Sequence, residues 1–324
     1  MFLIGAYSWR EMKSNKRITH AYCEEAKAIL PITGARQFYF SRPERGSLHF
    51  FCSTETCRNR KVKVTGVNYY IPPQEESNHQ VAHYKANPVD EHDPSCEWVE
   101  FEGALTQGSG ESTEQFVERK AKRKLNDYID YFDPKGTDGE NEAGPEGVAT
   151  GAGMGVAGRL PRSGGGSSKA RHATNSLERL VQYYREAKDS LAKEEFEALT
   201  LNVKGRSVIP LRTYFRSMKC ARLGENDWVL IGGARYKEYG KGFRFDFFDK
   251  HQERPISLYV DSKAIEAYRF RRYWRELFKQ AGNVKYFRVY VLGSLKERQD
   301  GKGYDIVVDD LRHLAITLGP EKTN

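Results

Sequence analysis

What this chain lacks bounds it first. No apolar run approaches the roughly 20 residues that cross a bilayer as a helix, so no membrane span is expected. The apolar start, residues 1–7, is too short for a secretory signal and has no basic beginning. A soluble, intracellular, cytoplasmic protein is the expectation. Cysteine is scarce: Cys23, Cys52, Cys57, Cys96 and Cys220 are the only five in 324 residues, odd in number and unevenly spaced. That argues against a disulfide framework, and close pairs in such a chain read better as metal ligands. Catalytic signatures are missing too. The glycine-rich stretch 151–158 lacks the Gly-Lys-Ser/Thr ending of a phosphate loop, and there is no Gly-x-Ser-x-Gly elbow and no His-Glu-x-x-His.

Charge of one sign is in excess. The formal net charge is +8, with a pI near 9.1, which favours an anionic partner. Nucleic acid is the natural one, because neutralising phosphates supplies most non-specific affinity.

Composition then divides the chain. Between residues 136 and 166, 11 of 31 residues are glycine and large apolar side chains are almost absent, while Asp133, Asp138, Glu140, Glu142 and Glu146 make the first part acidic. Such a stretch cannot bury enough surface to offset its ordering entropy. The expectation is therefore an α+β protein with a metal-clipped module over 1–132, a flexible linker over 133–172, and a second domain over 173–324.

The second domain carries the clearest pattern. Five strand-like runs follow one another: 228–236, 243–248, 256–260, 286–291 and 304–308, with a helix over 263–280 between the third and fourth. On these runs Phe243, Phe245 and Phe247 alternate with Arg244 and Asp246, Ile256, Leu258 and Val260 with Ser257 and Tyr259, and Phe287, Val289 and Val291 with Tyr286, Arg288 and Tyr290. The first sets suit a core. The second would point Arg244, Tyr259, Tyr286, Arg288 and Tyr290 outward, a mixture of rings on which bases stack and cations that track phosphates. The loops after the first and fourth runs are expected to carry Lys237, Lys241, Lys296, Arg298 and Lys302. On the helix, Phe270, Tyr273, Trp274, Leu277 and Phe278 form one apolar stripe that would plug the end of a small barrel.

This order of five strands and one helix resembles the OB-fold, a small partly open barrel whose strand face and flanking loops bind single-stranded nucleic acid. The resemblance implies a non-catalytic binder of single strands, DNA foremost. A protein-interaction adaptor using the same module is the alternative. A metal-dependent nuclease built on Asp90, Glu91, His92 and Asp93, or on Asp246, Asp305, Asp309 and Asp310, stands behind both, since no lysine sits at a convincing nuclease spacing.

In the first module a helix is expected over 21–30, ended by Pro31. Strands are expected at 38–40 and 48–51, and a hairpin is expected around Thr65–Gly66. The second strand runs into Cys52-x4-Cys57, and His79-x3-His83 and His92-x3-Cys96 follow. Thiolate and imidazole donors at these spacings suit a structural zinc ion with four protein ligands. Cys52, Cys57, His92 and Cys96 are the preferred set, with His83 as the alternate to His92. These residues resemble the zinc-binding N-terminal region of the CoiA-like competence proteins over residues 20–98, with x4 here in place of that family's x2. The resemblance implies a zinc module and no catalytic residue. Finally, Arg119, Lys120, Lys122, Arg123 and Lys124 cluster on a helix expected over 114–132, more as a solvated face than as a phosphate site.

Overall fold

The computed structural model describes residues 14–15, 17–72, 75, 79–100, 106–136 and 172–322. The expected strand at 2–4 and nearly all of the expected linker lie outside them. Helices and several sheets together make the protein α+β.

The N-terminal region is a five-stranded sheet. Two-residue β1 (Ser14–Asn15) pairs with β7 (Val99–Glu100) beside it. The order is β3 (Ala28–Pro31), β2 (His20–Cys23), β4 (Phe50–Cys52), β5 (Lys63–Val67), β6 (His83–Ala86), all antiparallel. This corrects the expected 21–30 helix. Residues 20–31 form a hairpin whose turn places Lys27 at φ 51°, and Pro31 precedes a helix instead of ending one. That helix, α1 (Ile32–Ser41), absorbs the 38–40 run expected as a strand and buries Arg36, Gln37 and Phe40 on a helical spacing. Gly66 is no turn either. It lies within β5, where a Cβ would sit 2.6 Å from the Phe50 ring, so glycine is required by a close approach and not by chain reversal.

The C-terminal half is built on an eight-stranded sheet. Its path is β17 (Ser294–Glu297), β18 (Tyr304–Val307), β15 (Arg254–Val260), β14 (Gly242–His251), β13 (Val229–Tyr239), β16 (Phe287–Val291), β19 (Leu314–Leu318), with β12 (Phe215–Ser217) parallel to the start of β13. The five expected strands are all present. β13, β14 and β15 form a meander and β16 returns beside β13, which is the spatial order of a Greek key. β18 lies parallel to β15. The pairings trace an open path and no closed ring. Gly293 stands between β16 and β17, where a Cβ would lie 2.6 Å from the Val307 carbonyl oxygen. Side-chain-free backbone is what lets these segments approach there.

The expected single helix over 263–280 is broken into α5 (Ser262–Ala267) and α6 (Arg271–Phe278). The break brings the Tyr268 ring to 4.5 Å from Trp274. Tyr273, Trp274 and Leu277 are buried, and Phe278 stacks on Tyr236 at 4.6 Å. The apolar stripe thus covers the inner face of the sheet, in a core with Phe243, Phe245, Phe287 and Val289.

A second core lies on part of the outer face. It joins Ala121, Leu125, Ile129 and Phe132, after α2 (Glu55–Asn59) and at and beyond α3 (Thr113–Lys122), to Leu177, Leu180 and Val181 of α4 (Leu177–Ser190) and to Tyr290 and Ala315. β8 (Tyr131–Phe132) pairs in parallel with both β9 (Ala173–Thr174) and β10 (Thr200–Val203), which also carries β11 (Val208–Pro210). Residues 113–136 therefore fold onto the C-terminal half, across the compositional boundary. The ends of the expected linker are packed as well: Asp133 and His172 are buried. An apolar stripe needs a partner, and for 121–132 that partner lies beyond the glycine-rich stretch.

Candidate metal centre and sheet-face interface

Cys52 ends β4, Cys57 lies in α2, and His92 and Cys96 come from the loop after β6. One ligand atom from each of the four lies within 4.8 Å of the others. The Cys52 and Cys96 sulfurs are 3.6 Å apart and Cys96 Sγ is 3.4 Å from His92 Nδ1. Ligands 2.3 Å (sulfur) and about 2.05 Å (nitrogen) from a tetrahedral ion would be about 3.8 and 3.6 Å apart, while a disulfide needs about 2.05 Å. The donor set therefore fits a metal ion. His92 Nε2 is buried with no hydrogen-bond partner among the described residues, so the ring has a spare coordinating atom whichever way it is turned.

The loop is fixed to the knuckle by a polar network. Trp98 Nε1 donates to Ser53 Oγ, which donates to Glu97, both at 2.8 Å. Asp90 accepts from the Lys63 amide at 3.0 Å, and the Asp93 amide donates to Cys57 Sγ at 3.2 Å. The hydrogen bond between Cys52 and Cys96 pushes the Cys96 thiol down, helped by His92 and Thr54 against burial, and the same bond with burial pushes Cys52 up. Burial raises Cys57. His83, the alternate ligand, is outside this group: it lies on β6 with Nδ1 2.8 Å from the Val81 carbonyl oxygen. Cys23 and Cys220 stand apart from it.

A second buried group, His20, Asp127 and His172, also has ligand atoms within 4.8 Å. Here the cation is a side chain. Arg179 donates to both Asp127 oxygens at 2.8 and 3.0 Å and to the Ala173 carbonyl at 3.1 Å, and its Nη2 is 2.9 Å from His20 Nε2. The guanidinium thus ties β2 of the N-terminal sheet to α4. Sequence reasoning missed this group, since its members are scattered over 160 positions with no motif.

Nearby, Glu186 on α4 accepts from the Asn126 amide at 2.8 Å, with its side chain 7% exposed. Burial first, and the Asp127 charge next, raise its pKa to about 7 from 4.5. A folded-state pKa above the unfolded value gives stability that is fully present below about pH 4.5 and is lost as pH rises through 7. The loss is up to about 3 kcal/mol at 1.36 kcal/mol per unit. Glu186→Gln keeps the acceptor and removes the titration. It is expected to raise the melting temperature at pH 8 and leave it unchanged at pH 4.5; equal shifts at both would contradict this origin.

On the outer face of the eight-stranded sheet the predicted residues separate. Arg244 lies opposite Lys237 on β13 and Tyr259 on β15. Lys237 is thus on a strand and not in a loop, as is Lys296 on β17, because β13 runs on to Tyr239. Asp246 accepts from Arg244 at 2.6 Å and from Lys237 at 2.7 Å. Partial burial opposes its charge, but these two cations outweigh it and hold its carboxyl below the usual range. Arg298 is bound to Asp305 at 2.8 Å and to Ser257. Lys241 and Lys302 are exposed turn residues.

Tyr290 is a correction: it is 1% exposed and belongs to the second core, because α4 covers the sheet there. Two residues earlier on the same face Arg288 is exposed, and Tyr286 meets Phe248 edge to face at 5.5 Å. Phe248, Tyr239 and Arg235, whose guanidinium carbon is 5.5 Å from the Phe248 ring centre, were not singled out from the sequence. Strand alternation alone would have found Arg235 and Phe248, whereas Tyr239 needed the full length of β13.

The other candidates do not assemble. Arg119 pairs with Glu111, Lys122 with Glu118 and Asp130, and Lys124 with Glu195, so the basic helix is largely self-neutralised. Asp246, Asp305 and Asp310 are each paired with an arginine and none joins a metal-ligating group among the described residues. Among those residues no helix is long and apolar enough to cross a membrane. Compared with protein-family models, curated proteins and solved structures, the chain matches none.

Proposed function

We propose that the protein binds single-stranded nucleic acid, DNA foremost, on the open part of the outer sheet face, without catalysis, and that Cys52, Cys57, His92 and Cys96 hold one structural zinc ion. The observation that carries the first reading is a coincidence of chemistry on one surface. Among the described residues, the large exposed aromatic side chains are Tyr70, Tyr239 at 55%, Phe248 at 50% and Tyr259 at 46%, and the last three share this face. Around them Arg235, Lys241, Arg288, Lys296 and Lys302 have no ion-pair partner among the described residues. Rings of this kind contribute roughly 1–3 kcal/mol per stacked base.

The strand order supports the OB-like reading of this module. The Greek key and the helix between its third and fourth strands are the features that support it, on a sheet whose pairings trace an open path. The zinc reading rests on three sulfurs and one imidazole in a closed set of four, the donor type of structural zinc sites. When bound, the ion would cross-link the β4–α2 knuckle to the loop after β6. Binding at both modules would then raise the overall affinity for a shared strand.

Fluorescence anisotropy with a labelled single strand and a labelled duplex, each in a salt series, tests the interface. Tight, salt-sensitive binding that prefers the single strand is expected. Asp246→Asn is expected to tighten it about tenfold and steepen the salt dependence, since it frees Lys237 and Arg244 for phosphate. No binding at low salt would sink the reading and turn the same face toward a protein partner.

A further inference from the structure

The open face has two aromatic ends, and we infer that its ligand is a single strand long enough to stack on both at once, about four nucleotides or more, with its phosphates crossing the cations between. The inference rests on the interface reading given above. At one end Tyr239 and Tyr259 meet at 5.8 Å and 79°; at the other Phe248 and Tyr286 meet at 5.5 Å and 86°. Each pair is an edge-to-face contact, and the rings of Tyr239, Tyr259 and Phe248 are half exposed, with Arg244 over Tyr239 at 5.7 Å and Arg235 over Phe248 at 5.5 Å.

Between the two ends lie charges. Lys237 faces Arg244 across β13 and β14, and Arg235 faces Asp246. Arg244 marks the first end, because it is directly opposite Tyr259. Phe248 lies four residues further along β14, which at 3.4 Å per residue is about 14 Å. A helically stacked strand advances 3.4 Å per nucleotide, so about four steps, joining five nucleotides, cover that distance, and a more extended strand covers it with about four.

The consequence is a threshold in length. A dinucleotide reaches one aromatic pair only. A strand that spans both gains the second stack as an intramolecular event, at a high effective concentration. Affinity then rises in a step. A face that merely attracted phosphates would gain in proportion to their number, with no step.

The test uses the full chain and unlabelled oligothymidylates of two to ten nucleotides, each competing with a labelled ten-mer in low-salt anisotropy. The expected result is a rise in affinity of at least tenfold between three and five nucleotides, then a shallow increase. Phe248→Ala and Tyr259→Ala, each checked for folding by circular dichroism, are expected to abolish the step. A smooth rise with length that both variants share would overturn the two-ended ligand and leave the interface standing. Failure of every length to bind, including the ten-mer, would overturn the interface itself and this inference with it.

Discussion

Replacing Cys96 with serine is expected to release the metal ion and unfold the N-terminal sheet. The core there is made of short strands and is rich in small or polar-tipped side chains, among them Ala21, Cys23, Ala35, Tyr69 and Tyr84. Modest apolar burial of this kind gains most from a metal clip. In small zinc modules the ion contributes on the order of 10–16 kcal/mol of folding free energy, comparable with or above the whole stability of a typical domain. Loss of one thiolate also leaves the remaining buried donors without the charge that holds them.

The measurement is metal content by mass spectrometry, paired with limited proteolysis. The unmodified protein is expected to carry one ion per chain, and the Cys96→Ser variant none, with new cleavage within residues 17–100 while the 172–322 region stays resistant. Chelation should reproduce the variant, and Cys220→Ser, at an exposed cysteine, should change nothing. A metal-free purified protein whose stability ignores Cys96→Ser would refute the zinc centre. His83→Ala should leave the metal content intact, which separates the two ligand sets that the spacing alone left open.

The second large effect belongs to the buried ion pair. Arg179→Met is expected to cost about 3–5 kcal/mol, because it strands the Asp127 carboxylate in a buried site and not because the pair itself is strongly stabilising. Arg179 and Asp127 are both under a tenth exposed, and the guanidinium also serves the Ala173 carbonyl and His20. Adding Asp127→Asn to Arg179→Met should recover part of the loss, as the residual amide needs hydrogen bonds but no counter-charge. Urea unfolding of the single and double variants measures this coupling. A single-variant loss under 1 kcal/mol would mean that the pair is hydrated and does not tie the N-terminal sheet to α4.

Much of the site was legible because it is local. The four candidate metal donors come as two short spacings, and a knuckle at a strand end already brings Cys52 and Cys57 within reach of one ion. The five strands of the C-terminal module were legible because alternation with a period of two is written into neighbouring residues, as in Phe243, Phe245 and Phe247. Short ambiguous runs failed. Residues 21–30 contain helix formers, yet the hairpin wins because it pairs β2 with both β3 and β4. Gly66 and Pro31 were read as turn and stop, when one makes room for Phe50 and the other precedes a helix.

The sequence by itself determined the two faces of each strand, the close Cys52–Cys57 and His92–Cys96 pairs and the basic, aromatic character of the C-terminal half, all of which depend on residues a few positions apart. Only the tertiary structure decided what lies on those faces. Arg288 and Tyr290 share a side of β16, and α4, from a hundred positions earlier, buries one and leaves the other open. The chain path also drew 121–132 into a core beyond the glycine-rich stretch and assembled His20, Asp127, His172 and Arg179. Periodicity reports which way a side chain points; burial depends on which distant segment finds a matching apolar surface there.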